Sequence, residues 1–221
     1  MARLVAWALL ATSDGAGVVQ HRTQGVGFQC ALQESRWASR EVSCWGPMND
    51  QGQLGQGDTI SRPLLQERVL VGGPIRNISS GAHHTCALLE TGQVKCWGSN
   101  SRGQLGTGDR SNRGDEPKEM GDWLMPVSLG AVAVEVSAGH EHSCARLVDG
   151  RVKCWGANSQ GQAFSSRPVP AIGIEPWELG ANLMAEPLPQ RAVNVLAGAW
   201  HTCVILEDKT SKCWGSMSPT S

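Results

Sequence analysis

The sequence predicts an all-β repeat array built from four copies of one short hairpin, and three observations carry that prediction. The tripeptide Cys-Trp-Gly recurs with its tryptophan at Trp45, Trp97, Trp155 and Trp214, at intervals of 52, 58 and 59 residues. Repetition at a fixed period of this size is the mark of a repeat architecture. Around each copy, apolar and polar residues alternate on both sides of a turn, as in a two-sided strand pair. Finally, 27 glycines and 11 prolines punctuate the 221 residues, which suits many short strands and tight connections rather than long helices.

Four copies follow one another along the chain. Copy one comprises GFQC (27–30) and EVSCWGPMNDQGQLGQGD (41–58). It has four more residues between its cysteines than the others, so its hairpin needs a longer loop. Copy two is GAHHTCALLETGQVKCWGSNSRGQLGTGD (81–109). Its loop Glu90-Thr91-Gly92 fits a type I turn closed by a glycine bulge, because glycine enters the left-handed region without steric cost. That register puts Leu88 opposite Val94 and Cys86 opposite Cys96. Copy three, GHEHSCARLVDGRVKCWGANSQGQ (139–162), repeats the arrangement with Val148-Asp149-Gly150 and with Cys144 opposite Cys154. Copy four, GAWHTCVILEDKTSKCWGS (198–216), keeps the spacing from Cys203 to Cys213 but has Lys209 at the glycine position. Its turn is expected to be less comfortable or of another type. The intervening segments 115–130 and 174–189 also echo one another in Glu-Pro, Gly and Leu-Met positions.

The eight cysteines then fall into four local pairs: Cys30–Cys44, Cys86–Cys96, Cys144–Cys154 and Cys203–Cys213. Directly opposed residues of an antiparallel pair lie within disulfide reach. Sequence alone permits roughly 105 connectivities for eight cysteines, and the repeat selects this one. An eleven-residue loop yields at most ~3 kcal/mol per bridge on the chain-entropy view. Paired cysteines throughout point to an oxidising compartment; buried free thiols in a reducing one are the alternative.

Some copies also carry residue types that bind metals. His83, His84, Cys86 and Cys96, like His140, His142, Cys144 and Cys154, contain zinc-ligand atoms. No Cys-x-x-Cys knuckle accompanies them, copy four offers only His201, and copy one has Phe28 and Gln29 in those places. No metal is therefore expected. No low-pKa redox cysteine motif is present, and no catalytic trio stands out. GQLGQGD (52–58) lacks the Gly-Lys-Ser/Thr ending of a phosphate loop. Asp58 and Asp109 read as turn residues rather than calcium ligands. Trp123, Trp177 and Trp200 lie outside the motif and are read as packing rather than as sugar-stacking platforms. No catalytic residue and no cofactor are expected. Asn77-Ile78-Ser79 is the lone glycosylation sequon, placing a candidate acceptor at Asn77.

A net charge of −1 gives no general attraction to nucleic acid, and no apolar run is long enough to span a membrane. Residues 1–16 begin Met-Ala-Arg, continue with LVAWALLA and end in small and polar residues. They read as a secretory signal or as an apolar segment that stays. Residues 17–221 read as one repeat domain, with units near 18–60, 61–115, 116–173 and 174–221.

Gly81, His84-Thr85-Cys86-Ala87-Leu88, Gly92, Val94, Cys96-Trp97-Gly98, Asn100 and Gly103-Gln104-Leu105-Gly106 together resemble the repeat of the regulator of chromosome condensation family. The likeness is greater to its cysteine-bearing, alpha-tubulin-suppressor-like branch, and it covers roughly residues 18–216. The resemblance implies a β-propeller of four-stranded blades, most often seven. Only four hairpins are present here, so a partial or small propeller is expected, with completion by a partner chain as one route. The founding member exchanges guanine nucleotide on a nuclear GTPase and binds chromatin, a role that wants a reducing setting and a basic surface. The reading favoured here is a non-catalytic protein-binding scaffold, secreted or lumenal. An exchange-factor-like regulator and a peripheral subunit of a large complex are its rivals.

Overall fold

The computed structural model describes residues 19–34, 40–64, 68–165 and 169–217. The N-terminal segment read as a signal or apolar strand, and the loop of the first hairpin at 35–39, lie outside them. The described residues form four antiparallel sheets in which strand order follows chain order. The first contains β1 (Val19–Gly25), β2 (Phe28–Glu34), β3 (Arg40–Trp45) and β4 (Arg68–Val69). The second contains β5 (Ile75–Ser80), β6 (His84–Leu89) and β7 (Val94–Gly98). The third contains β8 (Ala133–Ala138), β9 (His142–Leu147), β10 (Val152–Ala157) and β11 (Ala171–Ile172). The fourth contains β12 (Ala192–Ala197), β13 (His201–Leu206) and β14 (Ser211–Gly215).

Each sheet is one blade, with the cysteine hairpin as its second and third strands. Cys30 faces Cys44, Cys86 faces Cys96, Cys144 faces Cys154 and Cys203 faces Cys213 in the pairing register. The Cα atoms lie 4.1, 4.1, 4.0 and 4.1 Å apart, and each pair is a disulfide. Two features were not expected. The first strand of every blade carries a bulge, at Val19/His21, Ile75/Asn77, Ala133/Glu135 and Ala192/Asn194, which adds local twist. The fourth hairpin, moreover, keeps the turn of its siblings. Leu206 N donates to Thr210 O as Leu89 N donates to Gln93 O. Lys209 is simply forced to φ 69°, against 81° at Gly92 and 83° at Gly150.

The first strands β1, β5, β8 and β12 contact one another in succession, so the blades fan about a common axis. Among the described residues the four blades form an arc rather than a closed ring. Because side chains alternate across a strand, each blade has two different faces. The disulfide points toward the following blade and the tryptophan toward the preceding one. The core accordingly lies between blades. One cluster joins Cys30, Leu32, Val42, Cys44 and Leu54 of blade one to Ile78, Leu89 and Trp97 of blade two. The other runs on from Cys86 and Leu88 through Trp155 to Val195 and Leu206 of blade four.

Lys209 sits where a Cβ is penalised, so Lys209→Gly is expected to stabilise the protein by about 1 kcal/mol, or ~2–4 °C in Tm at this chain length. Gly92→Ala is expected to do the opposite, since its Cβ would lie 2.4 Å from Val132 Cγ1. Thermal unfolding of the two variants checks both signs.

Candidate functional site

The most built part of the molecule is the junction between consecutive blades. Trp97 Nε1 donates to Gln53 O at 3.1 Å, Trp155 Nε1 to Gln104 O at 2.9 Å, and Trp214 Nε1 to Gln162 O at 2.9 Å. Each acceptor lies in the Gly-Gln loop that follows the preceding blade's Cys-Trp-Gly. An asparagine knots that loop from within. Asn49 Oδ1 accepts from Leu54 N, Asn100 Oδ1 from Leu105 N and Asn158 Oδ1 from Ala163 N. Gly55 and Gly106, both at φ 67°, leave room for the ring: a Cβ there would lie 2.9 Å from the indole nitrogen. The third junction departs, because Ala163 and Phe164 stand in place of Leu-Gly, and Trp214 is only half-buried.

A second line of bonds runs nearer the axis. His84 Nε2 is 2.9 Å from Ser143 Oγ, and His142 Nε2 is 2.9 Å from Thr202 Oγ1. These hydroxyls also donate to Gln104 O and Gln162 O. Main-chain bonds complete it, from Val26 N to Ala82 O and from Ala82 N to His140 O. Thr23, Ser79 and Ser137 each accept from a backbone N–H of the next blade, at Ser80, Ala138 and Ala197. At the outer side, Lys95 Nζ bridges Val71 O and Gly121 O, and Lys153 Nζ bridges Leu129 O and Gly180 O. Both lysines are about 95 % buried, and burial pulls their pKa values down.

The cysteine–histidine sets considered for zinc are occupied otherwise. Their cysteines are bonded to each other, and His84 and His142 reach across to hydroxyls. Among the described residues no group of three or more His, Cys, Asp or Glu gathers as a metal site would. Asp58 and Asp109 pair with Arg62 and Arg113 at 2.7 and 2.6 Å. Asn77 is half-buried at the bulge of β5, with its Oδ1 accepting from Ile78 N. Trp200 stacks on His140 at 5.0 Å. Trp123 and Trp177, expected to pack, are instead 69 % and 68 % exposed, because each lies in a short helical turn on the outer surface. The lysine clamps and asparagine knots were missed by sequence reasoning, although the recurring Val-Lys-Cys-Trp-Gly-x-Asn spacing was their signal.

Family profiles described as the regulator of chromosome condensation (RCC1) repeat match residues 75–104, 133–162 and 193–218, and also 41–88 and 91–146. The chain belongs to the RCC1 repeat family. It is 33 % identical over 172 residues to a human protein named probable E3 ubiquitin-protein ligase HERC6, covering 76 % of this chain and 16 % of that protein. In structure it is similar to yeast RCC1 (Prp20) in a crystal structure with Kap60, at a TM-score of 0.68 and 19 % identity over 95 % of this chain and 46 % of that one. It is also similar to the ectodomain of the Physcomitrella patens receptor kinase CR4, at 0.56 and 20 % over 93 % and 42 %. The chain thus spans less than half the length of each.

In this RCC1-type array the histidines carry a pH dependence. Burial, then the neighbouring His142, His83 and His140, lowers His84 from 6.5 to about 3. Burial, then His201 and His140, lowers His142 to about 4. Both are neutral when folded, whereas the unfolded chain takes up protons below about 6.5. The stability they give is therefore complete above that pH and is lost as pH falls toward 4. Moving from pH 7 to pH 5 is expected to cost about 2 kcal/mol per histidine. Urea unfolding at the two pH values tests this, with His142→Gln expected to halve the drop. Independently, Trp155→Phe, which removes the bond to Gln104 O and leaves a void, is expected to destabilise by ~2–4 kcal/mol.

Proposed function

We propose that this chain is a non-catalytic, protein-binding RCC1-type scaffold that works in an oxidising compartment, secreted or lumenal. The observation that carries the reading is where its buried polar side chains are used. Trp97, Trp155, His84, His142, Ser143 and Thr202 bond across blade junctions, and Lys95 and Lys153 each tie together the two connecting segments that flank their own blade. The hydroxyl–imidazole pairs there, His84 with Ser143 and His142 with Thr202, are fully buried and tie neighbouring blades together. The ligase named among its relatives aligns over 16 % of its length, so its activity is not carried to this chain.

Two further observations support the setting and the partner class. Four disulfides account for all eight cysteines, and disulfides persist where the medium is oxidising. A receptor-kinase ectodomain shares the fold, as does yeast RCC1, which binds Kap60 in its crystal structure. A nuclear exchange factor fits less well, since a reducing nucleus would not maintain the bridges. Among the described residues no helix is long and apolar enough to cross a membrane. In a secretory setting Asn77 becomes the acceptor for a glycan.

Alkylation of the natively purified protein without reductant is expected to add no mass, and alkylation after reduction in denaturant to add eight groups. Eight thiols labelled in the native protein overturn the oxidised-scaffold reading.

A further inference from the structure

The outer rim of blade two is shaped unlike that of blade three. The two rims match by their bonds, since Gly121 N donates to Leu70 O as Gly180 N donates to Ser128 O. Lys95 and Lys153 clamp the corresponding segments in each. Both blades have a neighbour on either side, so solvent exposure at these rims belongs to the position. The residues placed there differ. Blade three has Ser128, Ala181 and Asn182, and Asn182 Nδ2 donates to Trp177 O at 2.7 Å. Blade two has Leu70, Asp122 and Trp123 at the same positions, all of them exposed.

With Glu41 of β3 and Arg68 of β4, these side chains border a groove of about 350 Å³. That volume lies at the lower end of the range for small-molecule sites, roughly 300–1,000 Å³. Gly72, at φ 77°, keeps the floor of the groove bare. A Cβ there would lie 2.8 Å from Lys95 Nζ, so an ammonium stands directly behind the floor.

The walls select a ligand class through the groups a ligand would have to cover. Arg68 and Glu41 form an ion pair at 2.8 Å, with side chains 55 % and 29 % exposed, and Asp122 adds a carboxylate beside the indole. A purely apolar side chain seated here would strip water from these charges and replace none of its bonds. A ligand of one charge sign would meet a like charge on one wall. An uncharged molecule with both donors and acceptors at its rim meets neither cost. The exposed indole asks in addition for a flat apolar face, since its electron-rich surface attracts C–H groups of partial positive charge. A pyranose sugar combines the two, with ring C–H groups on one face and hydroxyls around its edge. Carboxylates accept from those hydroxyls, and a guanidinium donates to them.

We propose that this groove on the rim of blade two binds an uncharged pyranose saccharide, stacked on the Trp123 ring and held at its edge by Asp122, Glu41 and Arg68. The site goes beyond the protein-binding reading and does not depend on it. Trp177, 68 % exposed on the next connecting segment, provides an internal control. The full chain, labelled with nitrogen-15 at its nine tryptophan indoles, is titrated with cellobiose, with N,N′-diacetylchitobiose and with N-acetyl-leucinamide. Loss of a signal in Trp123→Leu assigns the Trp123 indole. A disaccharide is expected to shift that signal saturably, with a Kd on the order of 1 mM, and to leave Trp177 in place. Asp122→Asn and Arg68→Gln are each expected to weaken the binding at least fivefold. Their unfolding midpoints should stay unchanged, because exposed ion pairs contribute little to stability. If neither disaccharide shifts Trp123, or if Trp123 and Trp177 shift together without saturation, the proposal is overturned. If N-acetyl-leucinamide alone shifts Trp123, the groove takes a protein side chain, so the saccharide site falls while the protein-binding reading stands.

Discussion

A single hydrogen bond, from an indole to a glutamine carbonyl one blade away, organises much of this molecule. A tryptophan is large enough to fill the space between two twisted sheets, but its N–H must find an acceptor once buried. The acceptor is a main-chain carbonyl in a loop with no sheet partner of its own, so that loop must be held in place. This explains why an asparagine knots it and why Gly55 and Gly106 adopt the left-handed region beside the ring. Where the loop changes to Ala163-Phe164, the bond to Trp214 survives at 2.9 Å while the ring is less covered. Trp214 is half-buried, whereas Trp97 and Trp155 are fully buried.

The charged and titratable groups obey the same geometry. A lysine ammonium is expensive to bury unless its hydrogens are satisfied, and Lys95 and Lys153 are each satisfied by two carbonyls from different segments. Neutral imidazoles spanning two blades make a second set of ties that depends on pH. Stability in such an array is shared between units and their nearest-neighbour contacts, so weakening one junction loosens the blades on both sides of it.

Much of the fold was legible in the sequence because its signals are local. The hairpins, their register, the cysteine pairing and the glycine turns all follow from spacing within about thirty residues. What lay hidden was long-range. Nothing in the order of residues says that Lys95 reaches back 24 positions to Val71 O, or that His84 meets a hydroxyl 59 positions on. The bulges recur in every blade, yet they leave no distinctive residue type behind. The exposure of Trp123 and Trp177 was misjudged because size and apolarity favour burial on average, while their place in an outer turn overrides it.

The placement of the four bridges also governs how this chain would respond to force. Each disulfide closes a hairpin on itself, over steps of 14, 10, 10 and 10 residues. A pull on the two ends can peel blades apart and straighten the connecting segments, but tension passes through the sulfur atoms and bypasses the hairpin loops. At ~3.4 Å per extended residue, about 150 Å of contour length stays withheld until a bridge is reduced. The array would behave under load as a chain of short tethers joined by inextensible knots.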